Sequence, residues 1–256
     1  MEKRIEGLNL DKIAASGQCF RWRRVGEQAY EIPLGESVLR IARRAQGVFD
    51  VDCDEAAWQR LWSPYFDLES DYGAYLASID LTDEYLRAAA KAGEGIRILR
   101  QPLWETTASF IVSQNNNIPR IQGILRRLCG GGDAFPEPAR VAAMSEEGLR
   151  ALGLGYRAAY LREAARRFVE ERPETTRPPC AYGEDRAWLQ GFLGIGPKVA
   201  DCICLYGLGH KEAFPMDVWM KRIVREHYAG CFPLWRYQGF AGVLQQYLFY
   251  YERLHA

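Results

Sequence analysis

The sequence predicts an α+β fold: an N-terminal antiparallel β-sheet domain followed by a mainly α-helical domain. Three observations carry this. Four short runs near the N-terminus, QCFRWRRV (Gln18–Val25), AYEIPL (Ala29–Leu34), SVLRIARRA (Ser37–Ala45) and GVFDVD (Gly47–Asp52), are rich in aromatic and β-branched residues and separated by Gly-Glu and Ala-Gln-Gly turns. From Glu55 the apolar spacing turns helical, in EAAWQRLWSPYF and DYGAYLASIDLTDEYLRAAAKAG. No strand pattern follows. The expected division is residues 1–95, sheet with following helices, and 96–256, helical, with a hairpin at about 185–209. Residues 171–185, ERPETTRPPCAYGED, read as a linker or long loop.

With 33 Lys plus Arg against 33 Asp plus Glu, the chain is not one that coats nucleic acid through net charge. Steering depends on charge distribution, so a local basic face stays open. Arg150, Arg157, Arg162, Arg166 and Arg167 crowd one segment against the single acid Glu163, although a solvated helix face gives the same count. MEKRIEGLNL lacks the apolar core of a signal peptide, and no run of about 18 apolar residues occurs. An intracellular protein is expected, cytoplasmic, at the nucleoid of a bacterium or in the nucleus of a eukaryote, with no membrane partner. The seven scattered cysteines suit reduced thiols; Cys202 and Cys204 face different ways on a helix, and with three histidines no zinc site is expected.

Along the chain, SGQCFRW (Ser16–Trp22) puts a glycine beside a strand start, either a plain turn or a place where a ligand approaches the backbone closely. Residues 102–128 form two helices around the polar break SQNNNIPR; asparagines end helices readily, and their amides with Arg120 suit base edges. In LGLGYRAAYL (Leu152–Leu161) two glycines bracket a turn before Tyr156 and Arg157, so an exposed tip competes with a core aromatic. The segment LQGFLGIGPKVADCICLYGLGHKEAFPMDVWMKR (Leu189–Arg222) reads as helix, tight glycine hairpin, helix, loop and helix start. Gly194 and Gly196 flank Ile195 and permit the positive φ of so short a turn; Pro197 suits the first helical position. The N–H groups at that helix start are a ready phosphate site. Lys198 follows immediately, and Asp217 is placed to cap the next helix. A lysine nucleophile must be uncharged, and burial with a helix N-terminus would depress its pKa. Cys202, four residues on, shares its face. In YQGFAGVLQQYLFYYERL, Gln245 and Phe249 are four apart and share a helix face, which a core helix would also explain for the aromatics.

LGIGPKVADCICL with PMDVWMKR resembles the helix-hairpin-helix DNA glycosylases, and KVADCICL most resembles their 8-oxoguanine branch. SGQCFRW, NNNIPRI, GLGYRA and AGVLQQYLF resemble further segments of that branch, so the resemblance covers Ser16–Trp22 and most of residues 100–252. It implies a bifunctional glycosylase and abasic-site lyase acting on duplex DNA that contains 8-oxoguanine, preferentially opposite cytosine. Lys198 would be the nucleophile and Asp217 its orienting carboxylate. Gly17 would accept the ring N–H that guanine lacks, Gln245 would bond the Watson–Crick edge, and Cys202 and Phe249 would sandwich the base. Asn115 would fill the vacated stack, Tyr156 wedge into it, and Arg120 and Arg157 hold the orphaned cytosine. Gly194, Ile195 and Gly196 would grip phosphate, and hairpin carbonyls would hold a monovalent or divalent cation with no side-chain metal ligand. The closely spaced cysteine set of the iron–sulfur members is absent, so no cluster and no required cofactor are expected, and a monomer is. Trp219 departs from the His often found there, which contacts a phosphate. The alternatives are a helix-hairpin-helix glycosylase for another lesion, such as an alkylated purine, and a non-catalytic helix-hairpin-helix DNA-binding protein.

Overall fold

A computed structural model describes residues 1–255. Five strands, β1 (Glu2–Arg4), β2 (Arg23–Gly26), β3 (Ala29–Leu34), β4 (Ser37–Ala45) and β5 (Val48–Val51), form one antiparallel sheet in the order β1-β5-β4-β3-β2. The β3–β4 register pairs Leu34 with Ser37, and Gly35, at φ +58°, supplies the positive φ that a two-residue loop needs. Alternation buries Tyr30 and Ile32, Leu39 and Ile41, and Phe49 and Val51 on one face, in the same core as Trp58 and Trp62.

The sheet is shorter than the sequence predicts at one strand and longer by another. Gln18–Trp22 form no strand, and a side chain takes up main chain there: Gln101 Nε2 donates to the Gln18 carbonyl at 2.8 Å. Before this turn lie β1 and α1 (Leu10–Ala15), neither legible from composition. Asn9 caps α1, its side chain accepting from Lys12 N at 3.0 Å.

In the helical part, α2 (Glu84–Gly93) packs on α9 (Ala241–Leu254) so closely that a Cβ on Gly93 would lie 2.4 Å from the Tyr247 ring. The middle of the helical domain is α3 (Leu103–Ser113), buried at every position from Leu103 to Val112 except Glu105. Its neighbour α4 (Ile118–Leu128) opens on Asn117, whose side chain accepts from Arg120 N at 3.0 Å, and buries Ile121, Ile124, Leu125 and Leu128. Then come α5 (Arg157–Glu171), α6 (Tyr182–Gln190), α7 (Pro197–Tyr206) and α8 (Val218–His227). The stretch predicted as a linker is mostly helical: α5 runs to Glu171, Pro173–Thr176 form a turn of helix, and α6 starts at Tyr182. Proline opens a helix as readily as it ends one, which is why the composition misled.

Two buried carboxylates fasten α6. Asp201 on α7 accepts from Tyr182 Oη at 2.7 Å and from Arg186 Nε at 2.6 Å, both on α6. Asp185 on α6 accepts from Arg177 Nε at 2.7 Å and meets His210 Nε2 at 2.7 Å. The α6–α7 pair is thereby fixed as a unit.

Candidate active site and nucleic-acid interface

A cavity of about 660 Å³ opens between the α3–α4 turn, the start of α7, the start of α8 and the end of α9. That is the size of a small-molecule site, room for one flipped nucleotide. Lys198, Asp217, Gly17 and Phe249 all line it. Gly17 takes φ +79°, and a Cβ there would touch Phe249 Cε1 at 3.4 Å, so turn and ring meet at the same opening.

Lys198 stands on the first turn of α7, with its ammonium 5.5 Å from the centre of the Phe110 ring. The Cys202 sulfur, which accepts from it, and then the Asp217 carboxylate hold the Lys198 pKa above the ordinary lysine value, against the opposing effect of burial. Burial also pushes the Cys202 thiol up, against the lowering effect of Lys198 beside it. This departs from the expectation of a depressed lysine: the direction is upward, with Cys202 the larger cause and Asp217 the lesser. Asp217 also caps α8, accepting from Met220 N at 2.8 Å.

Gln114, in the cavity wall, and Gln245, on α9, each have a polar atom buried without a partner among the described residues, Nε2 and Oε1 respectively; Gln245 and Cys202, both expected at the base, are not among the residues that line the cavity. Gln245 has only a 3.3 Å bond from Nε2 to the Pro215 carbonyl. An orphaned buried acceptor costs about 1–3 kcal/mol.

In the hairpin, Gly194 has φ +78° and a Cβ on it would fall 2.3 Å from the Tyr160 ring, so only glycine fits. Ile195 is buried as the anchor. Gly196, at φ −85° and ψ 178°, is extended as the N-cap of α7 and needs no glycine backbone, unlike the sequence reading. Pro197 follows, and the first-turn N–H groups have no partner within the helix.

A second group gathers beside the cavity. Asn115, at φ +46°, tips the α3–α4 turn and donates from Nδ2 to Tyr156 Oη at 3.2 Å. Tyr156 is 48 % exposed, whereas Arg157 is 4 % exposed. The Arg157 guanidinium lies 4.5 Å from the Tyr156 ring and donates to the Gln114 carbonyl at 2.7 Å and the Asn115 carbonyl at 3.0 Å. Arg157 thus braces the turn that carries Asn115, while Arg120 is exposed at the start of α4. Trp219 lines the cavity half-buried, with the Arg222 guanidinium 4.7 Å from its ring; Lys221 and Arg253 are further cations that line the cavity.

Sequence reading missed Phe110, Gln114 and Lys221. Phe110 sits in a helix buried on all sides, where periodicity cannot separate a site residue from core. Gln114 had a signal, an amide beside the asparagine run at the helix end.

Residues 1–107 match the N-terminal domain of 8-oxoguanine DNA glycosylase, and residues 108–230 match the HhH-GPD superfamily of base excision DNA repair proteins. The chain is 31% identical to the N-glycosylase/DNA lyase of Saccharomyces cerevisiae, over 86% of this chain and 68% of that one. It is 31% identical to a probable N-glycosylase/DNA lyase of Methanothermobacter thermautotrophicus, over 88% and 84%. Among solved structures, MBOgg1 in complex with a low-affinity DNA ligand superposes with TM-score 0.92 at 34% identity, covering 99% of this chain and 94% of that one. The Clostridium acetobutylicum 8-oxoguanine glycosylase/lyase, bound to duplex DNA with cytosine opposite 8-oxoguanine, superposes with TM-score 0.89 at 30% identity over 98% and 93%. Fold and site define a helix-hairpin-helix DNA glycosylase. The chain belongs to the 8-oxoguanine DNA glycosylase (N-glycosylase/DNA lyase) family.

Proposed function

We propose that this protein excises 8-oxoguanine from duplex DNA and then cleaves the resulting abasic site. The observation that carries this is an amine, Lys198, and the Asp217 carboxylate lining one cavity with room for one flipped nucleotide. The hairpin N–H groups hold backbone phosphate, and the flipped base enters between Cys202 and Phe249. Gln245 Oε1 receives an N–H of the Watson–Crick edge, and the Gly17 carbonyl receives the N7–H that distinguishes 8-oxoguanine from guanine. The ammonium first gives up its proton, which the departing base takes. Nζ then attacks the anomeric carbon as the glycosidic bond breaks, and Asp217 stabilises the positive charge that builds on the sugar. Ring opening gives a Schiff base, and loss of a C2′ proton expels the 3′ phosphate. Tyr156 wedges the stack and Asn115 occupies the gap. Arg120 reads the orphaned cytosine directly, and Arg157 supports it from the turn. An amine nucleophile argues against a water-using glycosylase for alkylated purines.

Single-turnover strand incision on matched duplexes tests this. Incision at 8-oxoguanine and at a preformed abasic site, without incision at an alkylated purine, is the expected result. Incision at the alkylated purine alone would overturn it.

A further inference from the structure

We infer that Gln246, fixed by the Tyr206 hydroxyl, is a positioning residue that sets how the Gly17 turn meets the flipped base, and through it the selectivity for a purine carrying an N7–H. The inference rests on the proposed function and extends it to residues that touch neither the base nor the sugar.

Gln246 on α9 is 1 % exposed, and both ends of its amide are spent. Nε2 donates to the Ser16 carbonyl at 2.9 Å, and Oε1 accepts from Tyr206 Oη at 2.6 Å. Its neighbour Gln245 has the opposite state, with Oε1 unpartnered. Adjacent glutamines thus divide the work: one is left open for a ligand and the other is locked into the protein. Tyr206 closes α7, the helix that carries Lys198 and Cys202. Its ring stacks on Phe110, with centroids 5.4 Å apart and planes 14° apart, and the Lys198 ammonium lies on that same Phe110 ring. The nucleophile and the Gly17 turn are therefore joined through Phe110, Tyr206, Gln246 and Ser16.

The turn is held from its other side as well. Gln18 Nε2 donates to Ser16 Oγ at 3.0 Å and to the Arg97 carbonyl at 3.0 Å, and Gln18 Oε1 accepts from Leu99 N at 2.8 Å. Ser16 and Gln18 are pinned on either flank, whereas the Gly17 carbonyl accepts no hydrogen bond among the described residues. A single hydrogen bond weakens steeply as it is bent or stretched, so discrimination by one acceptor depends on how firmly that acceptor is placed. A buried network in which every member is satisfied provides that placement.

The test measures equilibrium affinity in a Lys198→Gln background, which removes chemistry, for duplexes carrying 8-oxoguanine, guanine or an abasic-site analogue opposite cytosine. The parent should prefer 8-oxoguanine to guanine. Gln246→Met should lower that ratio about fivefold to tenfold and leave affinity for the abasic analogue within about twofold, as expected for the loss of one well-placed hydrogen bond. Tyr206→Phe removes a single oxygen and should lower the ratio about threefold; it carries the test should Gln246→Met not fold. The double variant should match Gln246→Met alone, because the two bonds act in series. An unchanged ratio in both variants, or equal loss on all three duplexes, would overturn the inference. A parent with no preference would instead sink the functional reading, and the inference with it.

Discussion

Replacing Gln245 by Met separates recognition from stability. In the free protein its Oε1 is buried without a partner and its Nε2 makes one long bond of 3.3 Å. Losing an ordinary hydrogen bond costs about 0.5–1.5 kcal/mol, with a 3.3 Å bond near the low end, while an orphaned buried acceptor costs about 1–3 kcal/mol. Met fills nearly the same volume, so no cavity term enters. The net is a gain of about 1 kcal/mol in the free protein, or roughly 2–4 °C in Tm for a chain of this size. The lesion, by contrast, loses its edge contacts. At roughly 1–3 kcal/mol the single-turnover excision rate on 8-oxoguanine should fall about fivefold to 150-fold. Cleavage of a preformed abasic site should hold, since no base is there to contact. Calorimetry or dye melting with paired kinetics on the two duplexes decides it. A lower Tm with equal losses on both substrates would show that Gln245 is a structural amide and refute the reasoning.

Three further outcomes follow from the same geometry. Phe249→Ala removes a stacking face worth roughly 1–3 kcal/mol, so excision of 8-oxoguanine should fall while affinity for an abasic-site analogue is kept, as binding and single-turnover assays would show. Arg120→Ala should flatten the preference for cytosine across the four opposite-base duplexes and leave the rate opposite adenine nearly unchanged, since a wrong base costs about 1–3 kcal/mol only where a contact exists. Asp217→Asn should slow base release strongly and also shift the pH profile of the lyase step. Asp217 helps to hold Lys198 above its ordinary pKa, so its removal lowers that pKa and moves the alkaline rise to lower pH; an unmoved or alkaline-shifted rise would count against the pairing. The sign for stability differs. A raised lysine pKa stabilises the fold below the unfolded value near 10.4 and is lost only as pH climbs through the folded value, so thermal stability between about pH 6 and 9 should not report on it.

The order of sheet and helices was readable because period and residue type change together after Val51, and the hairpin because Gly-Ile-Gly-Pro leaves the backbone few options. What escaped was set by tertiary contacts. β1 is three residues long and exists through its pairing with β5, and Gln18–Trp22 form no strand, the Gln18 carbonyl being taken by Gln101 and the Ser16 carbonyl just before it by Gln246. The site residues Lys198, Asp217, Gly17 and Phe249 do converge on one cavity, as their motifs implied. The direction of the Lys198 pKa was not legible, since a helix N-terminus and burial argue for a depressed amine and only the folded chain brings Cys202 and Asp217 near enough to raise it. Nor was the state of Arg157, whose guanidinium is taken by main-chain carbonyls of the neighbouring turn.

The central claim is that Lys198 Nζ becomes covalently bound to the sugar. Borohydride reduces an imine to a stable amine, so the wild-type protein incubated with an 8-oxoguanine duplex and borohydride should yield a protein–DNA crosslink visible as a shifted band on a denaturing gel. Lys198→Gln should give no crosslink while still binding the duplex, because the hairpin N–H groups remain. An undiminished crosslink in Lys198→Gln, or none from the wild type on a duplex that it incises, would contradict the account.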